Sequence, residues 1–309
     1  MSGAVVAAEA VQLLGGVVLA PLLLGVIQAM KARLQGRRGA GPLQPFRDLR
    51  RLWGKSAVSP AGTTLVYRAA PALVATALLA AVLLVPVGSR SPDWPVGHDA
   101  LVLAGLLALS RFALTLAAWD TANGFALQGA SRDLMISICT EAVLILSLAA
   151  VALAAGSTDL RAIGANVGGI GTWASPAAPL AALAYLSVVF VETGRQPIDN
   201  PDTHLELTMV HEGMLLEYAG RDLAYLHWAM AARHWVVLSL AAALFIPHPT
   251  GFAAQIALLP LVLLALCALL AVTETVIVKM RILLVPRLLG VGAAVALLAV
   301  VTQLTRVSA

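Results

Sequence analysis

The chain has few of the residues that soluble enzymes use for chemistry. Only 12% of its 309 residues are charged and 5% are aromatic, whereas 60% are hydrophobic. Ordinary soluble domains carry about twice that charged fraction, roughly 25%. The two cysteines, Cys139 and Cys267, have no CxxC or Cys/His spacing, which argues against an iron–sulfur cluster or a structural zinc site in this chain. A Walker A sequence is also missing, so nucleotide binding is not expected.

Long apolar stretches are plentiful and predict an integral membrane protein. The mean hydropathy is +0.89, and a helix that crosses a bilayer needs about 20 apolar residues. We predict an all-α integral membrane protein with about eight transmembrane helices, built as a single polytopic membrane domain over residues 1–309. The predicted spans are 9–30, 68–88, 99–119, 134–155, 176–192, 223–246, 252–274 and 284–304.

Lysine and arginine are concentrated in the odd-numbered connections between these spans, whereas the even-numbered connections hold only Arg90 and Arg161. Short cytoplasmic loops carry the excess of positive charge. We therefore predict that the odd-numbered loops are inside and that the N- and C-termini are outside. The net charge of +4 is then a signal of topology, and no binding of nucleic acid is expected.

The first connection, residues 31–67, is a long basic inner loop. Within it the segment FRDLRRLW places Phe46, Leu49 and Trp53 at helical spacing with arginines on the opposite side. This pattern predicts an amphipathic helix lying in the membrane interface. Two roles remain open for the loop: a basic anchor against the anionic lipid bilayer and a docking platform for a peripheral protein.

The fifth connection, residues 192–222, is an acidic inner loop that holds seven of the sixteen acidic residues. Asn200-Pro201-Asp202 is typical of a helix start, and Gly220 is a plausible stop. We therefore predict a helix over about 201–219. At 100° per residue this helix would nearly eclipse Glu206 and Glu217.

Several roles are possible for the side chains of this predicted helix. Its carboxylates could pass protons or bind a cation, or they could form a solvated face, and Glu217 could pair with Arg221 four residues later. His204 and His211 are seven residues apart, which is not the spacing of a helical metal site. Local hydrogen bonding or proton exchange is the expected role of these histidines.

Two further carboxylates lie inside or beside predicted spans. Glu141 is in SICTEAVLILSL, and Glu274 is in LLAVTETVIVKMR. Carboxylates are costly to bury in a membrane and usually mark paths for ions or protons. Glu141 and Glu274 are therefore candidate functional residues.

Three segments together resemble one family. ETGRQPIDNPDTHLELTMVHEGMLLEYAGR (192–221) resembles the central loop of the formate hydrogenlyase and hydrogenase-4 branch of the respiratory complex I subunit 1 family. RLQGRRGAGPLQPFRDLRRLWGK (33–55) is similar to that family's first inner loop, and ETVIVKMRILLVPRLLG (274–290) to the end of its seventh helix. The sequence THLELTMVHE differs from the EAESEL motif of quinone-reducing members and favours the hydrogenase branch.

This resemblance implies a subunit of an oxidoreductase and translocase complex in the cytoplasmic (inner) membrane of a bacterium or archaeon. The chain itself would carry no redox centre and no cofactor. Its implied partners are a hydrogenase-like large subunit and an iron–sulfur small subunit, which would hold iron–sulfur clusters and a [NiFe] site, together with antiporter-like membrane subunits. The chain would anchor these partners and link their electron transfer to proton or sodium translocation.

The resemblance also implies roles for individual residues. Proton or ion coupling would fall to Glu141, Glu192, Asp199, Asp202, Glu206, Glu212, Glu217 and Glu274. Docking of the peripheral arm and pairing with these acids would fall to Arg33, Arg37, Arg38, Arg47, Arg50, Arg51, Arg195, Lys279 and Arg281.

Three alternatives stay open at this point. The chain could be the quinone-binding subunit 1 of a complex-I-like NADH or other quinone oxidoreductase, with a cavity between the first span and the acidic loop. It could be a stand-alone cation or proton transporter. It could also be a membrane anchor that takes no part in coupling.

Overall fold

The computed structural model describes residues 14–86, 98–167, 170–173, 175–199, 209–247, 249 and 252–307. Within these ranges the chain is helical and contains no β-strand, as predicted for an all-α protein. The helices are α1 (Leu14–Leu34), α2 (Gln44–Trp53), α3 (Leu65–Leu84), α4 (Ala100–Asp120), α5 (Gly124–Ala155), α6 (Leu160–Val167), α7 (Ile170–Trp173), α8 (Ala177–Glu192), α9 (Gly220–Leu244), α10 (Phe252–Val276) and α11 (Val285–Val307).

Each predicted span has a matching helix, and six of them, α1, α3, α4, α5, α10 and α11, are long and apolar enough to cross a membrane. α8 is equally apolar but has only 16 residues. α9 has 25 residues and carries several ionisable side chains. The count of eight spans and the outside location of the termini remain predictions.

Polar residues at the helix starts explain several of these boundaries. The side chains of Thr64, Asp99 and Asn123 accept hydrogen bonds from the first free backbone N–H groups of α3, α4 and α5, the usual function of an N-cap. α5 ends at Gly156, whose φ of 66° suits glycine. Asp120, at the end of α4, accepts hydrogen bonds from the Thr64 and Tyr67 backbone N–H groups and so ties α4 to the start of α3.

The helices form a bundle in which α3 packs on α4 and α9, while α5 packs on α4, α8 and α11. α10 and α11 are the least buried of the candidate spans, with 22% and 28% of their windows buried, against 44–50% for the others. Each of the two helices therefore presents an apolar face suited to lipid or to another membrane subunit. We call the end of the bundle that carries residues 35–43 and 193–199 the loop end, and the opposite end the distal end.

At the loop end, the predicted amphipathic helix is present as α2, which packs against α1 and α9. The close fit of this region depends on Gly25, because a Cβ added there would lie 1.9 Å from the Pro42 carbonyl oxygen. Residues 39–43 therefore lie directly on α1. α2 forms one wall of a cavity.

Candidate functional site

A cavity of about 450 Å³ lies at the loop end, between α1–α4, α9 and the segments around Glu192 and His211. Leucines and methionines supply much of its wall, including Leu24, Leu78 and Met230. The remaining wall is charged or polar. The titratable side chains that line it are Asp48, Arg51, Arg111, Asp133, Glu192, Arg195, Asp199, His211, Glu212, His227, Arg233 and His234.

Glu192, the last residue of α8, is 5% exposed and is held by two arginines. Its Oε1 lies 3.0 Å from Arg111 Nη2, and its Oε2 accepts a 2.6 Å hydrogen bond from Arg233 Nη1. Arg233 also donates to the Ser110 Oγ at 2.5 Å. A buried carboxylate needs such charged partners to remain ionised.

Arg111 links this pair to Asp133 on α5, with Nη1 3.5 Å from Oδ1. Asp133 is 1% exposed, and the same oxygen lies 3.4 Å from His211 Nε2. The other ring nitrogen of His211, Nδ1, lies 3.4 Å from Asp199 Oδ2. His211 is therefore placed between two carboxylates on different parts of the chain, an arrangement in which an imidazole can take a proton from one side and release it on the other.

Two glycines allow His211 to occupy this position. Gly129 lies one turn before Asp133 on α5, and a Cβ there would lie 2.9 Å from the Val210 carbonyl oxygen. Gly194 has a φ of 59°, and a Cβ there would lie 3.1 Å from His211 Nδ1. Both positions exclude larger side chains, so the loop backbone packs directly on α5.

Asp199 connects this series of charged groups to the connection between α10 and α11. Its Oδ1 accepts a 2.7 Å hydrogen bond from Lys279 Nζ, and Oδ2 accepts from the backbone N–H groups of Val210 and His211. Burial alone would raise the pKa of this carboxyl group, but the hydrogen bonds and charges of His211 and Lys279 outweigh it and hold the pKa well below its usual range. Asp199 is therefore a fixed negative charge.

A second buried cluster surrounds Glu274 on α10. Its two oxygens lie 2.9 Å from Arg195 Nη1 and 3.2 Å from Lys31 Nζ. Arg195 Nε also donates to His234 Nε2 at 3.5 Å, while His234 Nδ1 lies 2.8 Å from the Met230 carbonyl oxygen. These contacts fit a neutral imidazole with its proton on Nδ1.

The first cluster thus forms a continuous series of charges from the loop end into the helices: Lys279, Asp199, His211, Asp133, Arg111, Glu192 and Arg233. We call these seven residues the charged series. Positive and negative groups alternate along most of it. A change of charge at one member therefore shifts the balance at its neighbours, because a medium of low dielectric constant screens charges poorly.

Glu141, predicted to continue this path inside the membrane, lies two turns beyond Asp133 on α5 and is partly exposed. It is within electrostatic range of Arg111, Glu192 and Arg233. The structure thus places Glu141 beside the charged series, one step farther from the loop end.

The other predicted acids are distributed differently. Glu212 lines the cavity, whereas Glu217 accepts a hydrogen bond from the Asn123 side chain, and its backbone oxygen accepts a 2.7 Å bond from the Tyr67 hydroxyl. Glu217 thus joins the α4–α5 connection to the loop. Asp202 and Glu206 lie outside the described residues.

The predicted helix over about 201–219 is wrong in its second half. Residues 209–219 contain only a short 3₁₀ helix, Glu212–Leu215. The physical reason lies at the start of this segment, where the Val210 and His211 N–H groups donate to the Asp199 side chain and so are unavailable to an α-helix. Gly220, predicted as the stop of this helix, instead begins α9 with a φ of 58°.

The predicted docking residues divide into two groups. Arg195 is buried and Lys279 is partly buried, and both pair with carboxylates as described above. The others are exposed at the loop end, as a docking surface requires. These exposed residues are Arg33, Arg37, Arg38, Arg47, Arg50, Arg51 and Arg281.

The sequence analysis did not identify five members of the site: Lys31, Arg111, Asp133, Arg233 and His234. Lys31 was assigned to the basic loop, but α1 continues to Leu34 and buries it. Arg233 and His234 fall in the middle of a predicted span. The free-energy cost of placing an ionisable side chain in the middle of a membrane span was the signal that could have identified Arg233 and His234.

Comparisons with known proteins agree on one family. Residues 8–304 match the family model described as NADH dehydrogenase. The chain is 35% identical to hydrogenase-4 component C of Escherichia coli (strain K12), covering 96% of this chain and 95% of the relative. It is 32% identical to formate hydrogenlyase subunit 4 of the same organism, covering 92% and 94%.

More distant proteins also match the chain. NADH-quinone oxidoreductase subunit 8 of Rhodothermus marinus is 30% identical over 67% of this chain and 61% of the relative. A chain in the structure of the membrane-bound sulfane sulfur reductase, an archaeal respiratory membrane complex, superposes with a TM-score of 0.82 at 19% identity, covering 97% of this chain and 99% of that chain. The predicted resemblance to the hydrogenase branch is confirmed.

Proposed function

The chain belongs to the NADH dehydrogenase family, and from that premise we propose that it is the membrane anchor and coupling subunit of a formate-hydrogenlyase-like or related membrane-bound [NiFe]-hydrogenase complex. It would link electron transfer in a docked peripheral arm to the translocation of protons or sodium ions. The charged series is the observation that carries this proposal. A buried set of alternating charges is costly, and one that joins a loop surface to the middle of a membrane bundle suits ion coupling.

We propose that the arm docks on the exposed arginines of the loop end. Arg47, Arg50 and Arg51 lie on α2, and Arg51 also lines the cavity, so a partner with an acidic face that docks on α2 would lie over the cavity. The hydrogenase-like large subunit and the iron–sulfur small subunit would meet this surface and hold the iron–sulfur clusters and the [NiFe] site. Antiporter-like subunits would pack along the exposed apolar face of α10 or of α11.

In this mechanism a change of charge in the arm would act first on the acids of the loop. Asp199 and Glu212, with Asp202 and Glu206 on the adjoining segment, would form the entrance. His211 would pass the change to Asp133, and Arg111 would pass it to Glu192. Glu141 and Glu274 would continue the path within the membrane. Coupling of this kind requires a structural element with two arrangements, whose balance is influenced both by the docked arm and by the membrane path. His211, placed between two carboxylates, is the candidate for this element.

The test is the ratio of ions moved to electrons transferred in the complete complex, reconstituted in vesicles and measured with proton and sodium indicators. Glu192→Gln is expected to lower this ratio severalfold, because it removes the negative charge between two buried arginines. The matched control is Asp159→Asn, which changes a partly exposed carboxylate that pairs with Arg161 at the distal end. A wild-type ratio in the Glu192 variant, or a complex that moves no ions, would refute coupling through this chain.

Quinone reduction is the second candidate, and the cavity favours it. Its volume of about 450 Å³ lies within the usual range for small-ligand sites, about 300–1,000 Å³, and its lining is partly apolar and partly polar. Turnover that requires quinone and stops with quinone analogues, without hydrogen-dependent activity, would favour this candidate. Robust ion flux through the purified chain alone would instead support a stand-alone transporter.

A further inference from the structure

Glu141 lies at the boundary between the interior of the bundle and its outer surface. It follows Ile138 by three residues and precedes Ile145 by four, and positions at these spacings are neighbours on one side of a helix. Ile138 and Ile145 are 64% and 44% exposed, and Glu141 is partly exposed. A carboxylate therefore adjoins the apolar outer face of α5.

The depth of Glu141 is that of the hydrocarbon core. α5 is long and apolar enough to cross a membrane. At 1.5 Å per residue, Glu141 is about 25 Å from the start of this helix and about 20 Å from its end, whereas the hydrocarbon core is about 30 Å thick. Ionisable side chains at such a depth nearly always pair with another group. Glu141 therefore needs a partner.

The interior of the bundle does not supply this partner. Arg111 and Arg233 are within electrostatic range of Glu141, but they pair with Glu192, at 3.0 and 2.6 Å. Among the residues that the structure describes, none forms a hydrogen bond with the Glu141 carboxylate or an ion pair within 4 Å of it. The partly exposed carboxylate is therefore open to a group that lies outside the chain.

The neighbouring helix α4 presents a small residue at a similar depth. α4 and α5 are joined by a short connection and run antiparallel, and Arg111 of α4 meets Asp133 of α5. Gly105 comes six residues before Arg111, and Glu141 comes eight after Asp133, so the two lie within about one turn of the same depth. Gly105 is exposed, and a Cβ added there would meet no atom within 4 Å. Small residues let a neighbouring transmembrane helix approach closely.

Three possible occupants of this surface differ in what they offer to the carboxylate. Lipid acyl chains have no hydrogen-bond donor. A second copy of this chain, related by a two-fold axis at this face, would bring one Glu141 close to the other, and adjacent carboxylates disfavour each other's charged form. A membrane helix with a donor side chain would satisfy the carboxylate and exclude lipid from it. Charge complementarity therefore favours the third occupant.

We propose that the face of α5 around Glu141 binds a transmembrane helix of another subunit of the complex. A basic or hydroxyl side chain of that helix donates a hydrogen bond to the Glu141 carboxylate. This inference rests on the proposed function for the existence of the complex, and it adds the chemistry of one membrane partner.

The test uses the purified complete complex with p-benzoylphenylalanine in place of Ile138, irradiated in a detergent that partly dissociates the subunits. The expected product joins this chain to one membrane subunit, identified by mass spectrometry, within about one helical turn of a donor residue. Glu141→Leu should lower the yield of this product about tenfold, the effect of losing one hydrogen bond within a membrane. Glu141→Gln, which can still accept a hydrogen bond, should retain most of the yield.

The matched control is Ile145→Leu, which places the same new side chain on the same side of α5 and should leave the yield unchanged. Replacing the identified donor by leucine should lower the yield as much as Glu141→Leu does, and the two changes together should lower it no further. If Glu141→Leu fails to accumulate, the segment joined at position 138 of the otherwise native complex decides.

Four results would overturn the proposal: a product with lipid alone, a product with a second copy of this chain, a joined segment that lacks a donor residue, or an unchanged yield in Glu141→Leu. The proposed function fails by a different measurement, the ratio of ions moved to electrons transferred. A complex that moves no ions but gives the expected product would refute coupling and support this interface.

Discussion

Removing the negative charge of Glu192 offers the sharpest test of how the charged series is held together. In the native chain two arginines, Arg111 and Arg233, are balanced by Glu192 and Asp133, and all four are largely buried. Glu192→Gln leaves one positive charge without compensation. Breaking a buried ion pair on one side typically costs about 3–5 kcal/mol, so we expect a loss of stability of that order.

A double variant separates charge balance from the loss of contacts. Glu192→Gln with Arg233→Met removes one charge of each sign and leaves Arg111 to pair with Asp133. The double variant should therefore be more stable than the sum of the two single changes predicts, with a coupling free energy of about 0.5–3 kcal/mol. Asp159→Asn, in a partly exposed pair, should cost no more than about 1 kcal/mol.

The measurement is denaturant unfolding in mixed micelles, followed through the fluorescence of the six tryptophans. A loss below about 1 kcal/mol for Glu192→Gln would mean that the carboxyl group is protonated or replaceable by water. A strictly additive double variant would show that the two side chains do not interact. Either result would refute the charge-balance argument.

Three further variants test other residues of the loop end. His211→Gln should lower the ion-to-electron ratio of the reconstituted complex severalfold, whereas His227→Gln, in the same cavity wall, should not. Partial rescue of the His211 variant by added imidazole would identify proton transfer. Equal effects of the two changes would contradict a role for His211 in proton transfer. The depressed pKa of Asp199 means that its stabilisation is fully present above its unfolded pKa and is lost as the pH falls through the lower folded value. Asp199→Asn should therefore be less stable than the native chain above about pH 4, with the difference narrowing as the pH falls further; a difference that is undiminished at about pH 2 would contradict this assignment. Gly220→Ala should lower the free energy of unfolding by more than about 1 kcal/mol in the same assay. The reason is that the new Cβ would lie 2.2 Å from the Ser56 carbonyl oxygen, at a position whose φ is 58°. An unchanged unfolding midpoint would show that the turn can rearrange.

The sequence predicted the helices well because hydrophobic length is a local property. The start of α4 at Ala100 and the end of α8 at Glu192 lie within one residue of the predicted bounds. The loop motifs were specific enough to identify the family. The cost of burying a carboxylate was enough to select Glu274 as a candidate site residue, whereas the family resemblance selected Glu192 and Asp199.

The ion-pair partners of those acids could not be predicted from the sequence, because they come from distant parts of the chain. Lys31 reaches Glu274 only because α1 is longer than its apolar core, and Arg233 reaches Glu192 across the packing of two helices. The helix predicted after Asn200 failed at its far end because Asp199 accepts backbone hydrogen bonds that local patterns cannot anticipate. Long-range contacts thus decided each of these cases.

The direct packing of Gly129 against the Val210 carbonyl oxygen has a consequence for genetics. A screen for complexes that still transfer electrons but no longer move ions would be expected to return charged residues. It should also return Gly129→Ala, a change that touches no titratable group. Such a mutation would push His211 away from Asp133 by displacing the loop backbone, so the phenotype of a missing charge would arise at a position that carries none.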